Sequence, residues 1–560
     1  MSGAQNYKMI YNNIMNRPIC LLFSMVMMVF SVTKAQTKYP TEEIESIYDL
    51  TFTKAERDSL ISNLQDYQKS FQAIHKYALN NSVGMSLVFN PIPVGFTINT
   101  QQKEITWGLP ADVKVPENKS DLAFYPVYKL AVLLKSKKIT STQLTKLYLE
   151  RIKKYGDTLQ CVITLLEDSA LKQARLADEE IAKGKYRGPL HGIPYGIKDL
   201  LSVEGIETTW GAGPYKGQVL NETATVVKKL EAAGAVLLGK LTLGALAMGD
   251  IWYGGVTKNP WDLKQGSSGS SAGSASATVA GLVAFAIGTE TLGSIVSPST
   301  RCGATGLRPT FGRVSRNGAM ALSWSMDKIG PICRSALDCG IVLNAICGAD
   351  KLDPSTKDAA FNYNSKMDIK KLKVGYLKNL FEANYPTKSN DQKIVETIKS
   401  MGVGLVPIDI TSALPINAIR IMLTAEAAAA FDELTRSNRD SLLTDQRKFA
   451  WPNTFRAARF IPAVEYINAS RIRAEAIQEF YEKTKDFDVI VAPSFGGNQL
   501  LLTNLTGNPC LVVPNGFNEK GSPTSISFIG KQFGEADLVM FAHKIQEATE
   551  WDEKIPPFFN

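Results

Sequence analysis

Between Gln265 and Pro298 the chain reads QGSSGSSAGSASATVAGLVAFAIGTETLGSIVSP. Three glycines and six serines fall within Gln265 to Ser276, and a small-residue apolar run, Thr278 to Ile287, follows them. A second glycine–serine turn, Leu292-Gly293-Ser294, closes the stretch. Gly/Ser-rich composition by itself describes a flexible linker. A linker joins polar surfaces, whereas this one leads directly into Val279, Leu282, Val283, Phe285 and Ile287, side chains that demand burial. Small residues feeding a buried segment let backbones approach closely and hold hydroxyls and amide N–H groups away from water. Acyl transfer needs those parts: a nucleophilic hydroxyl and N–H donors for an oxyanion.

Such a hydroxyl also needs a base. Lys198 stands near the end of GPLHGIPYGIKDL, Gly188 to Leu200, behind an apolar run that predicts a strand end facing the interior. A buried, unpaired ammonium is costly, so its pKa falls and the neutral amine can accept a proton. Spacing alone leaves a second reading equally open, a surface lysine paired with Asp199. Histidine is the poorer candidate, since only His75, His191 and His543 exist. The G-x-S-x-G string at Gly269–Gly273 is preceded by the mostly polar Trp261–Ser268, where a nucleophile elbow requires an apolar strand. Two S-x-x-K strings, Ser169–Lys172 and Ser325–Lys328, lack a following K-T-G, which argues against a penicillin-binding type of site.

Several blocks, in order, resemble the amidase signature family of serine hydrolases. Gly269-Ser270-Ser271-Ala272-Gly273-Ser274-Ala275 is similar to the family's G-S-S-G-G-S-A, and Gly288–Pro298 to its G-T-D-x-G-G-S-I-R-x-P. The family's catalytic lysine lies in a G-x-P-x-x-x-K-D segment like the one around Lys198. Gly234–Gly249, Gly303–Gly312, Asp327–Pro331, Asp488–Pro493 and Asn504–Pro509 match further blocks, so the resemblance runs from about Asp121 to about Gln546. It implies a Ser–cisSer–Lys triad whose two serines stand 24 residues apart, a spacing met by Ser270 and Ser294 and missed by Ser267 and Ser268. It also implies an α/β fold with a large, mixed, twisted β-sheet covered by helices on both faces.

The implied mechanism makes Ser294 the nucleophile, Ser270 a relay behind a cis peptide bond, and neutral Lys198 the base. Backbone N–H groups of Thr291, Leu292, Gly293 and Ser294 line the oxyanion hole, and the chemistry needs no metal and no cofactor. Three positions depart from the family. Leu292 replaces a glycine and puts a side chain at the oxyanion turn, while Glu290 and Val296 replace an aspartate and an arginine that form a charged support. Their joint change implies an altered pocket floor. Three functions follow: a secreted amidase for small acyl or peptide amides, a glutaminase resembling the glutamine-hydrolysing component of glutamyl-tRNA amidotransferase, or an impaired homologue that binds ligands without turnover. The partner implied is a small-molecule amide, with association into a homodimer compatible with it.

The elements that must position these residues show helices alternating with short apolar runs, an α/β pattern with a buried sheet. Thr140 and Gln143 form a capping box ahead of Leu144, Leu147 and Ile152. Asp168 or Ser169 is expected to cap a helix ended by Gly184, and Thr225–Ala233 reads as a helix followed by a strand at Ala235–Leu238. The 560 residues carry a formal charge of +8 with no Lys/Arg tract, so no nucleic-acid partner is read from charge. Lys8 and Arg17 precede the apolar Ile19–Val32, too short to span a bilayer comfortably, and Thr33-Lys34-Ala35 fits a cleavage site. The expected division is a signal peptide over 1–35, an N-terminal extension over 36–120, an amidase domain over 121–548 and a C-terminal tail over 549–560. A secreted or periplasmic protein with no stable membrane insertion after cleavage follows. Its six remaining cysteines show neither a disulfide framework nor metal spacing, and each reads as a small buried thiol.

Overall fold

Eleven strands, all between residues 162 and 530, form one mixed sheet in the computed structural model, which describes residues 39–76 and 80–560. The apolar N-terminal stretch and the expected cleavage position lie outside the described residues. In chain order the strands are β1 (Val162–Leu165), β2 (Pro194–Lys198), β3 (Val236–Leu241), β4 (Phe285–Glu290), β5 (Thr305–Arg308) and β6 (Lys328–Cys333). They continue with β7 (Val374–Tyr376), β8 (Leu405–Pro407), β9 (Val489–Pro493), β10 (Cys510–Phe517) and β11 (Pro523–Gly530). The spatial order is β1-β3-β2-β4-β6-β5-β10-β11-β9-β7-β8. β2 runs parallel to both β3 and β4, and β4 pairs antiparallel with β6.

Every residue of β2, β3, β4, β5 and β6 is buried, so layers cover both faces of the central sheet. The expected α/β fold with a large mixed sheet flanked by helices is therefore observed. Local signals explain several of the helices. Thr140 and Gln143 form the capping box that starts helix Ser141–Leu159. Helix Thr225–Ala232 and β3 fall where periodicity predicts them, joined at Gly234, whose φ of +81° a side chain would resist. The cap at Asp168 or Ser169 does not form: helix Glu167–Ala182 begins earlier, with Leu166 at its N-cap and Asp168 in its first turn. An acidic first turn favours the helix through its dipole rather than through a cap bond.

Two compact units divide the chain, one ending at Leu79 and one spanning Asn80–Asn560. The described part of the first holds helices Thr41–Ile47 and Lys54–Lys76, tied by Arg57 to Glu45 at 2.9 Å and to Glu42 at 2.8 Å. Residues 80–120 cluster with the larger unit and contain no strand. At the other terminus Phe559 is buried and its carbonyl accepts from Arg151 Nη2 at 2.7 Å, so the last turns are part of the packed unit. Among the described residues no helix is long and apolar enough to cross a membrane.

Candidate active site

Lys198 is the last residue of β2, and its side chain is fully buried. Its Nζ donates to Ser270 Oγ at 2.8 Å, Thr289 Oγ1 at 2.8 Å and Ser271 Oγ at 3.2 Å. All three partners are neutral hydroxyls. The pairing with Asp199 left open by spacing does not occur, because Asp199 faces Lys240 at 2.8 Å and accepts from Thr209. Burial pulls the Lys198 pKa from 10.5 to about 7, against the pull of the more distant Asp327 and Glu290 charges. At neutral pH a large fraction of this amine is unprotonated and able to act as a base.

The serine-rich stretch becomes a close-packed turn and not a linker. Hairpin strand Asp262–Gly266 leads into it, and helix Ala272–Val279, buried at every residue, leads out. The peptide between Gly269 and Ser270 is cis. A Cβ on Gly269 would lie 1.8 Å from the Gly249 carbonyl oxygen, so only glycine fits there. Ser271 is an anchor that spacing did not single out. Its Oγ donates to the Thr289 carbonyl at 3.0 Å and accepts from the Thr289 amide at 3.1 Å, fastening the turn to β4. Ser267 Oγ donates instead to the Ser268 carbonyl, and the Ser268 amide to Asp250. Neither serine touches Lys198.

Ser294 lies on the tight turn between β4 and helix Val296–Cys302, where Gly293 has a φ of +79°. Its carbonyl accepts from the Ser271 amide at 3.1 Å, which ties the two serine turns together. Ser294, Thr291, Leu292 and Gly269 line one cavity of about 490 Å³. Among the described residues, the amides of Thr291, Leu292, Gly293 and Ser294 donate to no protein acceptor. That leaves an array of N–H groups beside a hydroxyl at the cavity wall, the geometry that stabilises an oxyanion. The structure thus brings Lys198, Ser270 and Thr289 into contact and sets Ser294, Thr291, Leu292 and Gly293 on the adjoining turn.

Glu290 and Val296 do not leave this turn without a charged support. Glu290 Oε1 accepts from Arg308 at 2.8 Å and Asn504 at 2.9 Å, and its Oε2 accepts from the amides of Ile295 at 2.8 Å and Val296 at 3.0 Å. Burial pushes the Glu290 carboxyl up, but Arg308 and the amides outweigh it and hold the pKa at about 2. The cation comes from β5 rather than from position 296. Asp327 was likewise not singled out. It accepts from Thr291 Oγ1 at 2.6 Å and from the amides of Leu322 and Ser323, which fixes the other end of the turn that carries Ser294. The blocks containing Arg308 and Asp327 could have signalled both. His191 and His543 stay apart from this site: His191 accepts from the Arg187 amide and faces Glu180, and His543 faces Glu547. Among the described residues no group of His, Cys, Asp and Glu could hold a metal ion.

The Amidase family model matches residues 143–501, which include Lys198, Ser270 and Ser294. The chain belongs to the amidase signature family. The A component of the glutamyl-tRNA(Gln) amidotransferase of Caldanaerobacter subterraneus subsp. tengcongensis is 32% identical over 477 residues, 76% of this chain and 97% of that protein. The protein of the same name from a Marinomonas species is 34% identical over 475 residues, with the same coverage. The native peptide amidase of Stenotrophomonas maltophilia superposes with a TM-score of 0.68 at 29% identity, covering 79% of this chain and all of that one. This amidase accordingly hydrolyses amides at carbon–nitrogen bonds.

Proposed function

We propose that the amidase cleaves small acyl amides or peptide amides through an acyl-enzyme on Ser294. The observation that carries this reading is the buried Lys198 amine, held near neutrality and bonded to Ser270 Oγ at 2.8 Å, with Ser294 on the adjoining turn. Ser294 Oγ attacks the amide carbon as its proton passes through Ser270 to Lys198, and the carbonyl oxygen becomes an oxyanion facing the amides of 291–294. When the C–N bond breaks, the amine leaves with the proton returned along the same relay. Water then adds to the ester and frees the acid, restoring the Ser294 hydroxyl. The basic-flanked apolar start of the chain supports export before this chemistry, and so a secreted or periplasmic enzyme.

A second reading, a glutaminase that works within a larger amidotransferase, is favoured by the name shared by the two curated relatives above. The N-terminal export pattern speaks against it. A fluorophosphonate probe followed by mass spectrometry tests the nucleophile, with the adduct expected on Ser294; an adduct on Ser270 or Ser267 overturns the assignment. Hydrolysis rates on primary, aryl and peptide amides, with free glutamine alongside, separate the two readings. Turnover confined to glutamine would overturn the first.

A further inference from the structure

The cavity that holds Ser294 is walled by Met248, Leu322, Leu423, Phe449 and Trp451, with hydroxyls from Thr291, Thr424 and Thr454 between them. One charged residue lines it: Arg420. The five arginines between positions 436 and 459 are each neutralised by a neighbour. Arg436 and Arg459 pair with Asp432, Arg439 with Glu433, Arg447 with Asp445 and Arg456 with Asp440. Arg420 differs from all five: among the described residues no carboxylate lies within 4.0 Å of it, and its side chain donates no hydrogen bond. It stands at the start of helix Ile421–Ala430, one turn ahead of Thr424, so the two present their polar groups to the same side. Among the described residues the Thr424 and Thr454 hydroxyls also have no protein partner.

An always-protonated guanidinium with five donors, exposed to solvent at the edge of an apolar-walled cavity, suits a planar anion. Nothing inside the cavity competes for it, and no carboxylate there would repel an anionic ligand. We propose that the substrate carries a carboxylate close to the scissile amide and that Arg420 binds it, with Thr424 as the adjoining polar contact. The proposal rests on Ser294 being the reacting hydroxyl. The apolar remainder of the cavity takes the uncharged body of the same molecule, Trp451 and the exposed Phe449 contributing aromatic surface.

The test uses matched pairs that differ in one charge: succinyl 4-nitroanilide against its methyl ester, and 4-acetamidobenzoate against its methyl ester. On the unaltered enzyme, kcat/KM is expected to favour the anionic member of at least one pair. Arg420→Gln should lower that preference by roughly 10- to 100-fold, the span of a charge-assisted hydrogen bond, while leaving the neutral esters within about twofold. Arg420→Lys should restore part of it, and added salt should weaken it in the unaltered enzyme alone. Equal preference in the unaltered enzyme and Arg420→Gln overturns the proposal. Binding of the same pairs to Ser294→Ala, with and without Arg420→Gln, gives a readout independent of turnover. Anion-selective binding that requires Arg420 supports the proposal even if hydrolysis fails, and its absence overturns it. Neutral-amide hydrolysis without any charge preference would sink the carboxylate site and leave the amidase reading standing.

Discussion

Lys198→Met is expected to produce an inactive enzyme whose stability relative to the parent depends on pH in one direction. The unfolded chain holds this lysine near its ordinary pKa of 10.5, and the folded chain near about 7. Between those values the unfolded state binds a proton that the folded state does not, so stability grows as pH rises through the window. The displacement of about 3.5 pH units, at about 1.4 kcal/mol each, comes to about 5 kcal/mol across it. Methionine fills a similar volume and does not titrate. It leaves the hydroxyls of Ser270 and Thr289 without their donor, an opposing cost of about 1–3 kcal/mol for each group left unsatisfied. That cost is the same at every pH and cancels when two pH values are compared. For a cooperative unit of about 480 residues the unfolding entropy is about 1 kcal/mol/K, so the Tm of the parent should rise by about 5 °C relative to Lys198→Met between pH 7 and pH 10.5. Differential scanning calorimetry of both proteins at several pH values measures this, and kcat/KM of the parent should rise through the same pKa. A Tm difference that does not change with pH would refute a neutral buried lysine and remove the base from the mechanism.

Ser294→Ala is expected to abolish both turnover and probe labelling, whereas Ser270→Ala should slow acylation by roughly 10²- to 10⁴-fold and still permit slow labelling, both read by stopped labelling and mass spectrometry. Lys198→Arg should be inactive in a steady-state amide assay across the usable pH range, since a guanidinium does not deprotonate in proteins. Arg308→Met should cost about 3–5 kcal/mol, because it strands the buried Glu290 charge; Arg308→Met combined with Glu290→Gln should recover part of that in chemical denaturation. N-terminal sequencing of exported protein should begin near Gln36, and retention of Met1 or Ser2 would refute cleavage.

Much of the scaffold was legible because its signals are local. The capping box at Thr140 and Gln143 and the turn at Gly234 are written within a few residues of where they act. Lys198 was legible as a chemical question but not as an answer, since its burial depends on β3 and β4 closing over it from both sides. Asp199 illustrates the gap: its partner is Lys240, 41 positions away in sequence and on the neighbouring strand. The support of the turn that carries Ser294 is hidden from the sequence for the same reason. Val296 lacks the charge that the family places there, and the compensating Arg308 belongs to a strand that reaches Glu290 only through the antiparallel sheet. Arg420 carried no local signal at all, because an arginine without a counter-ion is recognised only when every neighbouring carboxylate is seen to be occupied.

The thiols open a different use of this fold. Cys161, Cys302, Cys333, Cys339 and Cys510 are free and buried, and Cys347 is partly so. Cys333 sits in β6 and Cys510 in β10, both in the middle of the sheet. A sulfhydryl shielded in this way reacts with an alkylating agent only when its surroundings open. The unmodified protein therefore carries a set of internal clocks, and the alkylation rate at each position, read by mass spectrometry, would report how often that part of the sheet breathes.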